Sequence, residues 1–247
     1  YLGVDIDPLA VEVTKFSLFL KLLEDTDIEE INSFMESSHE LVLPRLDNNI
    51  KNGNSLVGIA YAQYDPDVFE REGALEEIRM FDWTAEFGKN GFDAIVGNPP
   101  YIRVQNMVHY SPKEYGFYKS DYSGFETADS ELLDKYYLFI ERAWSLLKTG
   151  GVIGYIVPHK FMNIMSGESL RKFLSSRGAV REIIHFGIHQ AFKNRSTYTC
   201  ILILGKSDSP SYEIAFIQDW NRFLFEHKAE YNSYPSETLG SSPWTFI

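Results

Sequence analysis

A doubly wound α/β fold is what this sequence predicts, and three observations carry the prediction. Short apolar runs suited to strands recur at residues 1–5, 92–97, 152–157, 182–186 and 198–204. Between them lie segments whose apolar residues recur at steps of three and four, the helical period. At 247 residues, 44% of them hydrophobic, the chain can bury one sizeable core. Strands that alternate with helices build an open sheet with helical crossovers.

The first unit opens with Tyr1-Leu2-Gly3-Val4-Asp5 as a strand. Asp7 then caps a helix with Pro8 at its first position. Leu9, Val13, Phe16, Leu20 and Leu23 form the apolar face expected of that helix. Asp5 stands where the strand stops, the place at which ligands bind in open α/β sheets. Residues 24–47 hold eight acidic side chains and one arginine, which reads as a solvated, partly helical insertion. Asn52-Gly53-Asn54-Ser55-Leu56 follows a short strand and fits an ordinary turn as well as a ligand loop. Residues 65–90 suggest helical connections.

Residues 92–97 read as a buried strand ended by Gly97, and a long polar and aromatic stretch, residues 103–129, comes after Tyr101. Such a stretch suits a lid or a packed surface loop. Leu132, Leu133, Tyr136, Ile140, Ala143 and Leu147 mark a second clear helix, ended by Thr149-Gly150-Gly151 before the strand at 152–157. A helix over residues 166–176 precedes the strand at 182–186, and residues 198–204 close the sheet. Residues 212–217 suit one further strand and residues 219–231 a helix. The Ser-, Pro- and Tyr-rich residues 233–244 read as a linker.

No apolar run approaches the ~20 residues that span a membrane. The single cysteine, Cys200, rules out an internal disulfide and a cysteine metal site and points to a reducing cytoplasm. Net charge is −12, yet residues 1–150 carry 13 basic against 27 acidic side chains while residues 151–206 carry 8 against 2. A local basic region can meet phosphates despite an acidic whole, because charges beyond a Debye length of ~8 Å are screened. A solvated Lys- and Arg-rich helix face explains the same count.

Asn98-Pro99-Pro100-Tyr101 is the stretch with chemical content. It follows a strand, so an amide and an aromatic ring sit on a proline-stiffened loop at the strand's carboxyl end. An exocyclic NH2 on an aromatic ring or an amide is a poor nucleophile, because its lone pair is delocalised. The Asn98 side-chain oxygen and the Pro99 carbonyl suit its two hydrogens, and Tyr101 suits the ring. A Pro-Pro turn with an aromatic lid on the core is the plainer reading.

The motif resembles the catalytic motif of amino-group methyltransferases that use S-adenosylmethionine, chiefly the adenine-N6 DNA methyltransferases. Leu43-Pro44-Arg45-Leu46-Asp47-Asn48-Asn49-Ile50, Asn52-Gly53-Asn54-Ser55-Leu56 and residues 92–102 are together similar to large type IIG restriction-modification enzymes. The resemblance covers roughly residues 1–206. It implies a Rossmann-like methyltransferase sheet lacking its first strand, with residues 207–247 leading toward a target-recognition domain. For the cofactor it implies Asp5 at the ribose, Ile6 against the adenine, and Asn54 with Ser55 at the adenine edge. For the substrate it implies Asn98, Pro99 and Pro100 around the amine, and Tyr101 and Phe192 on either face of a flipped base. Lys193 and Arg195 would meet phosphates of double-stranded DNA. No metal is required, and oligomeric state does not follow.

The family's glycine-rich cofactor loop matches nothing here and would precede Tyr1, so the chain reads as an excised fragment that binds S-adenosylmethionine weakly or not at all. Two other readings keep the motif: a protein glutamine methyltransferase, which holds an amide in the same way, and a scaffold or DNA-binding module that has lost catalysis. As core or surface residues, Phe192, Lys193 and Arg195 would need no ligand.

Overall fold

Gly3–Asp5 extends as β1 and pairs in parallel with β2 (Ile50–Asn52), Gly3 opposite Ile50 and Asp5 opposite Asn52. The computed structural model describes residues 1–24, 45–192 and 197–246. They fall into two units, Tyr1–Glu86 and Phe87–Ile247. The acidic insertion expected at residues 24–47 lies almost wholly outside the described residues.

In the first unit, helix α1 (Pro8–Leu23) follows β1 directly. The Asp7 side chain accepts from the Leu9 backbone N–H at 2.9 Å, and Pro8 occupies the first turn, as expected. The face of α1 that packs is different from the one the periodicity suggests. Val11 is buried and Lys15 and Phe19 are partly covered, whereas Leu9, Val13, Phe16 and Leu20 are exposed. Both sets step by three or four residues, so helical period alone does not choose between them. Lys15 joins Glu12 at 2.9 Å and Asp47 at 2.7 Å, which draws that side of the helix toward the stretch before β2. The core beyond β2 comprises Leu56, Val57, Tyr61, Val68, Ile78 and Phe81. Short helices Tyr61–Tyr64 and Ala74–Ile78 fall in or beside the stretch expected to be helical connections. Gly53 is needed for packing, because a Cβ there would lie 2.4 Å from the Phe81 ring.

The second unit holds a six-stranded sheet in the order β3-β4-β6-β5-β7-β8. Its strands are β3 (Phe92–Gly97), β4 (Leu147–Pro158), β5 (Val180–His185), β6 (Thr199–Gly205), β7 (Ser211–Phe216) and β8 (Tyr231–Pro235). β3 and β4 are parallel, as are β5 and β7; β6 runs antiparallel to both β4 and β5. Residues 198–204 therefore do not end the sheet. They turn back after β5 and occupy its middle, where Cys200, Leu202 and Leu204 are completely buried. The return from β5 contains no further strand or helix among the described residues, and β6 comes back antiparallel between β5 and β4.

β3 departs from the buried strand expected. It pairs only with β4 among the described residues, and Val96 is 84% exposed. Gly97 accommodates the Tyr155 ring, whose nearest atom would lie 3.0 Å from a Cβ placed there. In β4, Ile153, Tyr155 and Val157 are buried while Val152 is exposed, the alternation of a strand with one covered face.

Between β3 and β4 run α2 (Pro112–Tyr118) and α3 (Lys135–Leu146). Residues 103–129 form a packed insert: Val104, Met107, Phe117 and Tyr118 are buried. Glu141 accepts from the backbone N–H groups of Glu126 and Thr127, each at 2.8 Å, and ties the insert to α3. Helix α3 ends at Leu146, four residues before the first of the glycines expected to stop it. Lys206 donates to the Trp144 and Leu147 carbonyls at 3.1 and 2.9 Å, placing a cation at the negative end of the helix.

α4 (Glu168–Ser176) leads to β5, and α5 (Trp220–Glu226) links β7 to β8. Part of the expected linker thus forms an edge strand, and Trp244 beyond it is buried against Phe161. Arg171 fastens this tail: its guanidinium donates to the Phe161, Ile164 and Ser241 carbonyls at 2.6, 2.7 and 2.8 Å. No helix among the described residues is long and apolar enough to cross a membrane.

Candidate active site

Asn98-Pro99-Pro100-Tyr101 leaves β3 at its carboxyl end, as the sequence predicts. The loop is held at both sides. On one side the Tyr101 hydroxyl donates to the Ile156 carbonyl on β4 at 3.0 Å. On the other, Lys135 N–H donates to the Ile102 carbonyl at 2.7 Å, and Val104 N–H to that of Leu133 at 2.8 Å. Asp134, buried there, pairs with Lys160 at 2.8 Å. Pro99 is buried and Pro100 exposed, so one proline anchors the turn and the other lines its surface.

The Tyr101 ring is half-buried and meets Tyr136 edge-on, centroids 6.3 Å apart; Tyr136 meets Tyr137 the same way at 4.7 Å. Burial pushes the Tyr101 hydroxyl up to about 12, with the nearby Cys200 thiol a lesser cause. The phenol is therefore neutral and serves as a donor to the protein, not as a base. Asn98 is exposed, and its amide makes no hydrogen bond among the described residues. The Pro99 carbonyl likewise receives no backbone N–H. Among the described residues, two acceptors on this loop are thus left over.

Phe192 lies in the return from β5 to β6, partly exposed. Because β3, β4 and β5 share one direction, this return leaves the same carboxyl edge as Asn98. Lys193 and Arg195 lie outside the described residues. Three rings at this edge were not anticipated from sequence. His159 stacks on His185, centroids 4.2 Å apart with planes 16° apart, and Tyr198 lies parallel to His159 at 6.1 Å and 8°. Both histidines have lowered pKa values. Burial takes His185 to about 4, with the neighbouring His159 as the second cause, and burial alone lowers His159. A histidine beside each of two strand ends is visible in the sequence, but the pairing that stacks them is not.

In the first unit, Asp5 and residues 52–54 come together at the carboxyl ends of β1 and β2. Gly53 N–H donates to the Asp5 carbonyl at 2.9 Å, and the Asn52 amide donates to the Asp5 and Ile6 carbonyls at 2.9 and 3.0 Å. The Asp5 carboxylate is exposed, and one oxygen accepts from Asp7 N–H at 2.8 Å. Ile6 is exposed beside it. Asn54 is buried, and its side-chain oxygen accepts from Leu56 N–H at 3.1 Å, closing the local turn. The Ser55 carbonyl accepts from the Trp83 indole at 3.0 Å. A cleft of about 420 Å³ nearby is lined by Val11, Lys15, Ile50, Asn52 and Phe81, and includes none of the four residues the resemblance assigns to the cofactor.

Residues 1–192 match the family model described as Eco57I restriction-modification methylase. The chain is 38% identical over 244 residues to the type II restriction enzyme and methyltransferase RM.Eco57I of Escherichia coli, covering 98% of this chain and 22% of that protein. It is 32% identical over 158 residues to the type II methyltransferase M.HincII of Haemophilus influenzae, covering 63% of this chain and 29% of the relative. The chain therefore spans less than a third of these curated relatives. Its fold is similar to that of the type IIL restriction-modification enzyme MmeI, solved in complex with DNA, at TM-score 0.57 and 14% identity over 95% of this chain and 27% of that one. It is also similar to a nuclease-deletion mutant of the type ISP enzyme LlaGI, at TM-score 0.53 and 18% identity over 87% of this chain and 18% of the other. A proline-stiffened acceptor loop at the edge of a mixed α/β sheet, with a family match over most of the chain, identifies this protein as a member of the Eco57I restriction-modification methylase family.

Proposed function

We propose that the protein takes part in transferring a methyl group from S-adenosylmethionine to N6 of an adenine swung out of duplex DNA. The observation that carries the reading is the pair of uncommitted acceptors, the Asn98 amide oxygen and the Pro99 carbonyl, on a loop fastened at both ends. A planar amine presents two N–H donors. Accepting both raises electron density on its nitrogen, and a rigid loop does so without reorganisation. Tyr101 is positioned by Ile156, so its ring is fixed before a base arrives. N6 is paired inside the duplex, and extrusion of the base costs a few kcal/mol. The net positive charge of residues 151–206 supports a DNA backbone as partner. The relatives' descriptions as type II methyltransferases, and the DNA complex of MmeI, agree with a DNA substrate. A DNA substrate of this kind would support a cytoplasmic location, within a restriction-modification system.

S-adenosylmethionine would supply the electrophilic methyl group. The first unit fits it in part: the exposed Asp5 carboxylate at a strand end suits ribose hydroxyls, and Ile6 offers an apolar face. The Asn54 oxygen is already used by Leu56, so adenine recognition there would rely on the Ser55 backbone or on a rearranged turn.

Asn98→Ala in the full-length protein tests the reading, with tritium transfer to unmethylated plasmid DNA and base analysis as readouts. The expected result is methyl on adenine N6 for the wild type and a fall of about 100-fold or more for the variant. Methyl on cytosine, transfer only to a glutamine peptide, or an undiminished variant would each refute it.

A further inference from the structure

Arg79 in the first unit holds a backbone conformation that side chains of its kind rarely adopt. At φ 52° and ψ 50° it is left-handed, and among the described non-glycine residues only His227 shares a positive φ with it. Arg79 follows the short helix Ala74–Ile78, and its N–H closes that helix by donating to the Leu75 carbonyl at 2.8 Å. Glycine takes this place without steric cost, so ending the helix does not call for an arginine. A strained residue is held by its surroundings, and here these are the loops at the carboxyl ends of β1 and β2.

Backbone and side chain of Arg79 both reach the loop after β2. Its carbonyl accepts from Asn54 N–H at 2.7 Å, and its guanidinium donates from Nη1 to Asn52 Oδ1 at 2.6 Å. The second bond decides how the Asn52 amide lies. With the oxygen turned to Arg79, the amide nitrogen donates to the Asp5 and Ile6 carbonyls at 2.9 and 3.0 Å. A carboxamide has one acceptor end and one donor end, so a flip would set its oxygen against two carbonyls and its nitrogen against a cation. Among the described residues the guanidinium has no carboxylate partner, and its hydrogen bond to Asn52 is therefore not the by-product of an ion pair.

We infer that Arg79 is a positioning residue for the nucleoside part of S-adenosylmethionine. Acting through Asn52, it fixes the backbone of Asp5 and Ile6, and with it the direction in which the Asp5 carboxylate and the Ile6 side chain are presented. The inference rests on the methyl-transfer reading and adds a residue which that reading does not use. Arg79 needs no contact with the cofactor for this role. A loop held in place beforehand spares the ligand the cost of ordering it, so the effect falls on affinity and not on the chemical step.

The test uses the full-length protein with Arg79→Gly, Asn52→Ala and the two combined. Glycine keeps the left-handed turn and removes the side chain alone, which protects the fold. Titration calorimetry with S-adenosylmethionine reads affinity without turnover, thermal melting reads stability, and KM against kcat on unmethylated plasmid DNA separates binding from chemistry. Arg79→Gly is expected to melt close to wild type, because relief of strain offsets the lost hydrogen bond. It should nevertheless bind S-adenosylmethionine about tenfold more weakly and raise its KM by the same factor, with kcat at saturating cofactor within about threefold. Asn52→Ala should match it, and the double variant should lose no more than either alone, since both remove one relay. Wild-type affinity in Arg79→Gly would reduce Arg79 to a helix cap and overturn the inference, as would additive losses in the double variant. If the wild-type protein shows no affinity for S-adenosylmethionine, the methyl-transfer reading fails and the inference with it. If the wild type binds and Asn98→Ala abolishes transfer while Arg79→Gly binds as before, only the role of Arg79 fails.

Discussion

The hydroxyl of Tyr101 donates to the carbonyl of Ile156 at 3.0 Å, so the last residue of the acceptor motif is tied to the neighbouring strand. Tyr101→Phe removes this bond and keeps the ring. Stability should fall by about 1 kcal/mol in denaturant titration, while methyl transfer should drop only a few-fold. Tyr101→Ala should lose at least ten times more activity. Equal losses in both variants would assign the hydroxyl, not the ring, to the substrate.

Glu114 is buried on α2, within the insert between β3 and β4. Its carboxylate accepts from Lys135 Nζ at 2.8 Å, from Ser111 Oγ at 3.1 Å and from the Tyr118 hydroxyl. Glu114→Gln leaves a buried ammonium uncompensated and should cost about 3 kcal/mol, with faster amide exchange through α2. Replacing both partners, Glu114→Leu with Lys135→Met, should recover most of that loss. A double variant as unstable as the sum of its parts would contradict this account.

His185 titrates at about 4 in the fold against 6.5 unfolded, first because it is buried and second because His159 lies against it. Between those values the unfolded chain binds a proton that the folded chain refuses. Stability is therefore full above pH 6.5 and declines as pH falls toward 4. Melting temperature should be flat from pH 8 to 7 and drop between about 6.5 and 4. His185→Gln should flatten that slope, and an unaltered slope would show that other groups set it.

Cys200 is completely buried, and burial pushes its thiol well above the ordinary range. Iodoacetamide at pH 8 should leave the native protein unmodified and alkylate it fully once unfolded. Because Cys200 lies at the centre of the sheet, the alkylation rate should follow global unfolding. Rapid labelling of the native protein would mean that the middle strand opens locally.

The acceptor loop was legible because its signal is local. A strand, a glycine, two prolines and a tyrosine define a stiff turn at a strand end wherever the strand is placed. The cap at Asp7, helix α3 and the strand residues of β4 to β6 were legible for the same reason. Strand position was not. Residues 198–204 read as a strand at the end of the sheet, whereas β6 occupies its middle, because register depends on which neighbours are within reach. The packing face of α1 was also misread. Two stripes with helical spacing fit one helix, and the ion pairs of Lys15 with Glu12 and Asp47 accompany the one that packs.

By itself the sequence determined the fold class, the order of most elements and the stiff loop at Asn98 on a strand's carboxyl end, all of which follow from residues adjacent in the chain. Tertiary structure alone decided that Tyr101 is braced by Ile156, that Asn54 turns its oxygen onto Leu56, and that Tyr198, His159 and His185 stack. Those relationships join residues that are far apart or that pattern leaves free, and only hydrogen-bonded register brings side chains from separate strands onto one face.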